Sequence, residues 1–152
     1  MEFFNLIRKG DLPAIQEMVM ADTTLLQKKD ARGFTPLVMA TYSGHYDTAR
    51  FFLENGAAVN QQDGVGNTAL MGVCFKGDTK IVQLLIDNGA DVNLINSKGA
   101  TALIYAAMFG QTEIAAVLLA GGADKQIKDE EGNNALNYAT NKGHTTLVSL
   151  LQ

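Results

Sequence analysis

The stretch "NGADVNLINSKGATALIYAA", residues 88–107, contains a turn and a helix start that recur along the chain. Similar stretches lie on both sides of it: "NGAAVNQQDGVGNTALMGV" begins at residue 55 and "GGADKQIKDEEGNNALNYA" at residue 121. Corresponding residues are 33 apart, and a fixed period of this length is the signature of a stacked repeat array. The columns with this spacing are Asp30, Asp63, Asn96 and Asp129; Gly33, Gly66, Gly99 and Gly132; Leu37, Leu70, Leu103 and Leu136; and Gly44, Gly77, Gly110 and Gly143.

Each block predicts a turn followed by two short helices. The opening Asp or Asn can bond its own backbone, and the Gly three residues later accepts a positive φ. A threonine then predicts the N-cap of the first helix, at Thr35, Thr68 and Thr101, and Pro36 suits the first helical position. The second helix has a broad apolar stripe, as in "KIVQLLIDNG". Helices of about nine residues are too short to be stable alone, so stacking must supply the stability.

These blocks resemble the ankyrin repeat, whose pattern D-x-x-G-x-T-P-L-H-x-A-A-x-x-G-H is closely matched by "DARGFTPLVMATYSGH" at residues 30–45. The resemblance implies an all-α solenoid of stacked antiparallel helix pairs joined by β-turn loops. It is closest in style to small stand-alone bacterial ankyrin-repeat proteins, and the chain is expected to be complete. The implied division of the single domain, residues 1–152, is a capping repeat at 1–29, full repeats at 30–62, 63–95 and 96–128, and a C-terminal capping repeat at 129–152.

Two features depart from the ankyrin pattern. The motif histidine is replaced in every block, by Val38, Met71, Ile104 and Asn137. Since the resemblance implies that this histidine is structural, its loss is expected to affect turn rigidity and not activity. The last block is polar, with Asn134 and Asn137 at its first helix, as expected for the end of a solenoid that faces water.

Composition disfavours several classes of protein. The net charge of −4 argues mildly against a binder of duplex nucleic acid, which usually carries a basic face, but it leaves room for a local basic patch. Cys74 is the only cysteine, so no intrachain disulfide can form, and its apolar neighbours predict a small core residue. No apolar run reaches the roughly 20 residues that span a bilayer. The start "MEFFNLIRKG" lacks the features of a signal peptide, so we expect a soluble cytoplasmic protein without membrane contact.

The sequence predicts no catalytic, metal or cofactor site. His45 and His144 share one column after a helix-ending glycine, where the resemblance implies structural histidines. With Cys74 they show no metal-ligand spacing. The "GVG" at residues 64–66 lies in a repeat turn without a phosphate-loop lysine. We therefore expect no enzyme activity, no cofactor and no small-molecule substrate.

The ankyrin resemblance implies that partners bind the concave face, which consists of the turn tips and the exposed side of the first helices. Large apolar, aromatic and cationic residues at those positions are enriched at interfaces and form the predicted partner-binding set. This set is Arg32, Phe34, Met39, Tyr42, Phe75, Lys76, Lys98, Tyr105, Met108, Phe109 and Tyr138. The alternative for any one ring is that it folds back and packs between neighbouring repeats.

The sequence therefore predicts a non-catalytic protein–protein interaction module that binds a protein or peptide of unidentified nature. The alternative is a structural or regulatory accessory subunit in a bacterial stress or enzyme pathway. An enzyme or small-ligand binder is disfavoured, because it would need a deep pocket with convergent polar groups.

Overall fold

The computed structural model describes residues 2–152, which form ten α-helices, one short 3₁₀ helix and no β-strand. The prediction of an all-α fold is confirmed. The α-helices are α1 (Glu2–Lys9), α2 (Leu12–Ala21), α3 (Pro36–Tyr42), α4 (Tyr46–Glu54), α5 (Ala69–Lys76), α6 (Thr79–Asp87), α7 (Ala102–Met108), α8 (Thr112–Ala120), α9 (Ala135–Lys142) and α10 (Thr145–Leu151). The 3₁₀ helix, Thr23–Gln27, follows α2.

The helices pack in two layers. The odd-numbered helices α1, α3, α5, α7 and α9 contact one another in that order and form the first-helix layer. The even-numbered helices form the second-helix layer, and each packs against the helix that precedes it. One hydrophobic core runs between the layers, with Leu70 and Leu103 from the first layer and Ile81 and Ile114 from the second almost completely buried. Stacking therefore provides the burial that a single short helix cannot.

Side-chain caps begin the first helices where the sequence predicts them. The hydroxyl oxygens of Thr35, Thr68 and Thr101 each accept a hydrogen bond from the backbone N–H three residues on, at 3.2 Å. In α9 the cap is different: Asn134 accepts from the Asn137 N–H at 3.0 Å, and the Asn137 side chain accepts from the Asn134 N–H at 2.9 Å. These two asparagines thus form a reciprocal capping box, which satisfies two backbone donors at once.

The Thr68 cap gives a testable contribution to stability. Thr68→Ala removes the acceptor for the Met71 N–H at a site only 4% exposed, so the free energy of unfolding should fall by about 1 kcal/mol. Thr68→Ser keeps the acceptor and should lose much less. Urea denaturation followed by circular dichroism measures both values, and equal losses in the two variants would rule out the hydrogen bond as the cause.

The opening Asp or Asn of each block organises its turn. The Asp63 carboxylate accepts from the N–H groups of Val65 and Asn67, at 3.0 and 2.8 Å. The Asn96 side-chain oxygen accepts in the same way from Lys98 and Ala100, both at 3.0 Å. The predicted use of this column for turns is confirmed.

Neighbouring turns are bonded to one another through the backbone. The Gly64 N–H donates to the Arg32 carbonyl at 3.3 Å, and the Ser97 N–H donates to the Val65 carbonyl at 3.0 Å. The Glu130 N–H donates to the Lys98 carbonyl at 2.9 Å. The turn tips thus form a hydrogen-bonded row along one edge of the stack, which fixes the spacing of the helices that carry the candidate site.

His45 and Cys74 have structural surroundings. His45 Nε2 lies 2.9 Å from the carbonyl oxygen of Arg8, a contact that ties the start of α4 to the end of α1. Cys74 is fully buried, as predicted, and burial raises the pKa of its thiol to about 12, so the thiol stays neutral. In residues 2–152 no helix has the length and apolar character that a membrane crossing requires.

Candidate functional site

An apolar cavity opens on the first-helix layer between α3, α5 and α7. We call it the aromatic groove. It has a volume of about 240 Å³ and is lined by Tyr42, Asn67, Met71, Gly72, Phe75, Tyr105 and Phe109. Four of the predicted partner-binding residues, Tyr42, Phe75, Tyr105 and Phe109, are brought together here.

A glycine, Gly72, lines the groove where related positions carry large side chains. The column to which it belongs holds Met39, Gly72, Tyr105 and Tyr138, so the other three members carry large side chains. A Cβ atom built on Gly72 would lie 3.5 Å from Cδ1 of Tyr42, which is ordinary contact and shows that the space begins directly above the α5 backbone. Gly72 holds a concave-face position of the first helix but was not included in the predicted partner-binding set, although a glycine in a column of large residues is a signal for a cavity.

Three ring pairs connect the four aromatic residues. Tyr42 and Phe75 are nearly parallel, with centroids 6.4 Å apart, and Phe75 meets Phe109 edge to face at 5.0 Å. Tyr105 and Phe109 are again nearly parallel, at 6.1 Å. Despite these contacts Phe75 is 51% exposed, Phe109 40% and Tyr42 37%. The exposed rings therefore form one contiguous apolar patch on the first-helix layer.

A buried asparagine fixes the fourth ring. The Asn96 amide donates to the Tyr105 hydroxyl at 2.7 Å and to the Asn67 side-chain oxygen at 2.9 Å. Asn96 stands in a column that is otherwise aspartate, and an amide can donate these bonds where a carboxylate cannot. One repeat further, the Tyr138 hydroxyl donates to the Asp129 carboxylate, and this bond raises the pKa of Tyr138 to about 12.

A second cavity, which we call the cationic pocket, adjoins the aromatic groove. Its volume is about 270 Å³, and it is lined by Arg8, Arg32, Phe34, Met39, Tyr42, Ser43 and Lys76. Tyr42 lines both cavities. Lys76 Nζ lies 4.9 Å from the centroid of the Tyr42 ring, and Arg32 Cζ lies 4.1 Å from that of Phe34, so both cations are held over aromatic faces.

The remaining predicted residues differ in their exposure. Lys98 is exposed at a turn tip and lines neither cavity. Phe34, Tyr105, Met108 and Tyr138 are partly buried and pack against the core, so for these residues the alternative of inward packing holds in part.

The prediction that Met39 belongs to the exposed partner-binding set is wrong. Its side chain is only 4% exposed and belongs to the hydrophobic core, whereas the prediction required it to face solvent. The long flexible side chain of methionine fills the space beneath the cationic pocket and is unavailable as a large contact surface. Arg8, which the sequence prediction omitted, lines the same pocket from α1.

Residues 2–152 contain no group of three or more His, Cys, Asp or Glu side chains positioned to hold a metal ion.

Two layers of short helices, capped in register and joined by bonded turns, define a helix-pair solenoid. A family model described as ankyrin repeats (3 copies) matches residues 4–96, 50–129 and 70–152. The chain belongs to the ankyrin repeat family, whose members are generally protein–protein interaction modules. The predicted fold and family are confirmed.

Curated relatives share only part of their length with this chain. Ankyrin repeat domain-containing protein 29 of Danio rerio is 40% identical over 55 residues, 36% of this chain and 18% of the relative. The human DNA-binding protein RFXANK is 42% identical over 52 residues, 34% of this chain and 20% of the relative. BTB/POZ domain-containing protein 3 of Schizosaccharomyces pombe is 35% identical over 57 residues, 38% of this chain and 11% of the relative. The chain thus spans a fifth or less of the relatives' length, and these names describe the relatives alone.

Proposed function

We propose that this ankyrin-repeat chain is a non-catalytic module that binds a segment of a partner protein on its concave face, with the aromatic groove as the centre of the contact. The observation that carries the proposal is Phe75, a large apolar ring left 51% exposed between Tyr42 and Phe109. Aromatic residues in central pockets are the usual anchors of protein interfaces.

The size of the groove favours a side chain as its occupant. Pockets for small molecules measure about 300–1,000 Å³ and enclose most of the ligand. The aromatic groove, at about 240 Å³, lies below this range and is open to solvent along the exposed rings. One or two apolar side chains of a partner would cover Phe75 and remove its exposed area from water, which is favourable.

The ring contacts supply a second argument. Because the Phe75 ring is already paired with Tyr42 and with Phe109, these rings lose little side-chain freedom when a partner binds. A surface that is ordered before binding avoids the entropic cost of ordering each side chain, about 0.5–1.5 kcal/mol for a flexible one. The groove is therefore suited to recognise a short segment.

Filling the groove tests the proposal. Gly72→Leu places an apolar side chain in the cavity and is expected to abolish capture of the partner from a lysate of the source organism. The fold should persist, because Gly72 is not one of the buried core residues of α5. Those residues, which include Leu70, Val73 and Cys74, are unchanged in the variant. Helix propensity favours leucine over glycine within a helix, by up to about 1 kcal/mol.

Gly72→Ala is the matched control. Its Cβ meets only ordinary contact with Tyr42, so partner capture should be retained while the helix gains stability. A second variant, Tyr105→Ala/Phe109→Ala, removes two walls of the groove and should also lose the partner. Circular dichroism checks that all variants are folded. If the wild type, Gly72→Leu and the double variant then recover the same partner equally, the partner does not bind in the groove.

A further inference from the structure

The two helix layers carry opposite charge. The first-helix layer has four cations and one acid, which are Arg8, Lys9, Lys76, Lys142 and Glu2. The second-helix layer has five acids and two cations, which are Glu17, Asp47, Glu54, Asp87, Glu113, Arg50 and Lys80. All four first-layer cations stand in the last turn of their helix, so they lie along one edge of the layer. A chain with net charge −4 thus presents a cationic edge on the layer that holds the aromatic groove.

Two of these cations, Arg8 and Lys76, lie beside the groove and form no ion pair within residues 2–152. The ion pairs within residues 2–152 are Arg32–Asp30 and Arg50–Glu54. Arg8 donates instead to the neutral side-chain oxygen of Asn5 at 2.8 Å, and Lys76 lies over the Tyr42 ring. Both line the cationic pocket, whose lining residues include no acid. The pocket therefore has positive charge available for an incoming anion.

We propose that the partner segment carries an acidic residue close to its apolar anchor, with the apolar side chain in the aromatic groove and the carboxylate in the cationic pocket between Arg8 and Lys76. This proposal rests on the proposed function, since it assigns the chemistry of the segment bound there. Tyr42 lines both cavities, so a single short segment can reach them together. The apolar contact would supply most of the affinity, and the carboxylate would set the direction of the segment.

Charge complementarity favours an acidic protein segment over two other occupants. A second copy of this chain could offer its acidic second-helix layer to the cationic edge. That contact is heterologous, however, and unless it closes into a ring it continues into an open assembly. Nucleic acid binds through many phosphate contacts, and four cations in a layer of a chain with net charge −4 provide few of them.

The test uses the full chain and a phage library of random peptides as the probe. Selected peptides should carry an aromatic or branched aliphatic residue with Asp or Glu close to it on one side. For a synthetic peptide taken from the selection, Lys76→Glu should raise the Kd about tenfold, because reversal removes one attraction and adds one repulsion. Arg8→Glu should act similarly. Lys80→Glu makes the same charge change on an exposed residue of the second-helix layer and should leave the Kd within about twofold.

The outcomes separate this proposal from the proposed function. Selected peptides without acidic residues, but with binding lost in Gly72→Leu, would overturn the acidic requirement and leave groove binding standing. Equal effects of Lys76→Glu and Lys80→Glu would overturn it as well, since only long-range charge would then be at work. If no selected peptide loses binding to the Gly72→Leu variant, both the acidic requirement and binding in the groove are wrong. The wild type could instead self-associate or bind a single-stranded oligonucleotide. If Gly72→Leu abolishes either interaction, the groove belongs to that occupant and the proposal of an acidic partner segment is wrong.

Discussion

Leu103→Ala is expected to lower the free energy of unfolding by about 3–5 kcal/mol. Leu103 is 1% exposed in α7, and helices of the first layer pack on both sides of it, α5 and α9. Truncation removes the apolar contacts and leaves a cavity, because the helices that pack against α7, which are α5, α8 and α9, cannot all move inward. Domains of this size have a total stability of about 5–15 kcal/mol, so this one change would remove a large share of it.

The control for Leu103 lies in the same column. Leu136 lies in the first turn of α9, and its side chain is only partly buried. Within residues 2–152, α9 has a first-layer neighbour on one side only, α7. Leu136→Ala should therefore cost about 1–2 kcal/mol, since less apolar area is lost and the site can relax. Urea denaturation monitored by circular dichroism gives both values. Equal losses at the two positions would contradict the account in which stability comes from neighbours on both sides.

Gly66→Ala is expected to lower the free energy of unfolding by about 2–5 kcal/mol, for two reasons that add. Gly66 has φ of +82°, a left-handed conformation that costs an L-residue about 1–2 kcal/mol. An added Cβ would also lie 3.0 Å from Cα of Asn96 in the next repeat, and backbone crowding of this kind adds about 1–3 kcal/mol. The Asn96 backbone cannot move away freely, because the adjacent Ser97 N–H is bonded to the Val65 carbonyl.

Gly132 separates the two contributions. It occupies the same column with φ of +81°, but a Cβ added there would meet no atom within 4 Å beyond the adjacent residues. Gly132→Ala should cost only the conformational term of about 1–2 kcal/mol. Thermal and urea unfolding of the two variants measure the difference. If Gly66→Ala costs no more than Gly132→Ala, the close approach of neighbouring turns contributes nothing to stability.

The fold was predictable because its determinants are local and periodic. The caps at Thr35, Thr68 and Thr101 and the turns opened by Asp63 and Asn96 depend on residues within four positions along the chain. Such contacts can be read from spacing alone. The reciprocal cap of Asn134 and Asn137 was expected only as a polar end, because a capping box normally pairs Ser or Thr with Glu or Gln.

The candidate site was predictable only in part, because it depends on contacts between repeats. Membership of Tyr42, Phe75 and Phe109 in one surface follows from their column positions, and the structure brings them together. The burial of Met39 and the cavity over Gly72 depend on side chains from neighbouring repeats, which spacing along the chain does not describe. Arg8 was missed because the first block departs from the repeating columns, so its register with the other first helices could not be assigned.

Gly72 can be viewed as a point defect in a one-dimensional crystal. If every repeat carried a tyrosine at this position, as at Tyr105 and Tyr138, all repeats would present the same surface here and none could be distinguished from the others. Met39 also departs from tyrosine but keeps a large side chain, so the missing side chain at residue 72 distinguishes the second of the four periodic blocks. Since each repeat contacts mainly its neighbours, the defect could be moved by one period without rebuilding the rest of the lattice. The repeated columns maintain the fold, and the proposed binding site lies where the repetition is interrupted at Gly72.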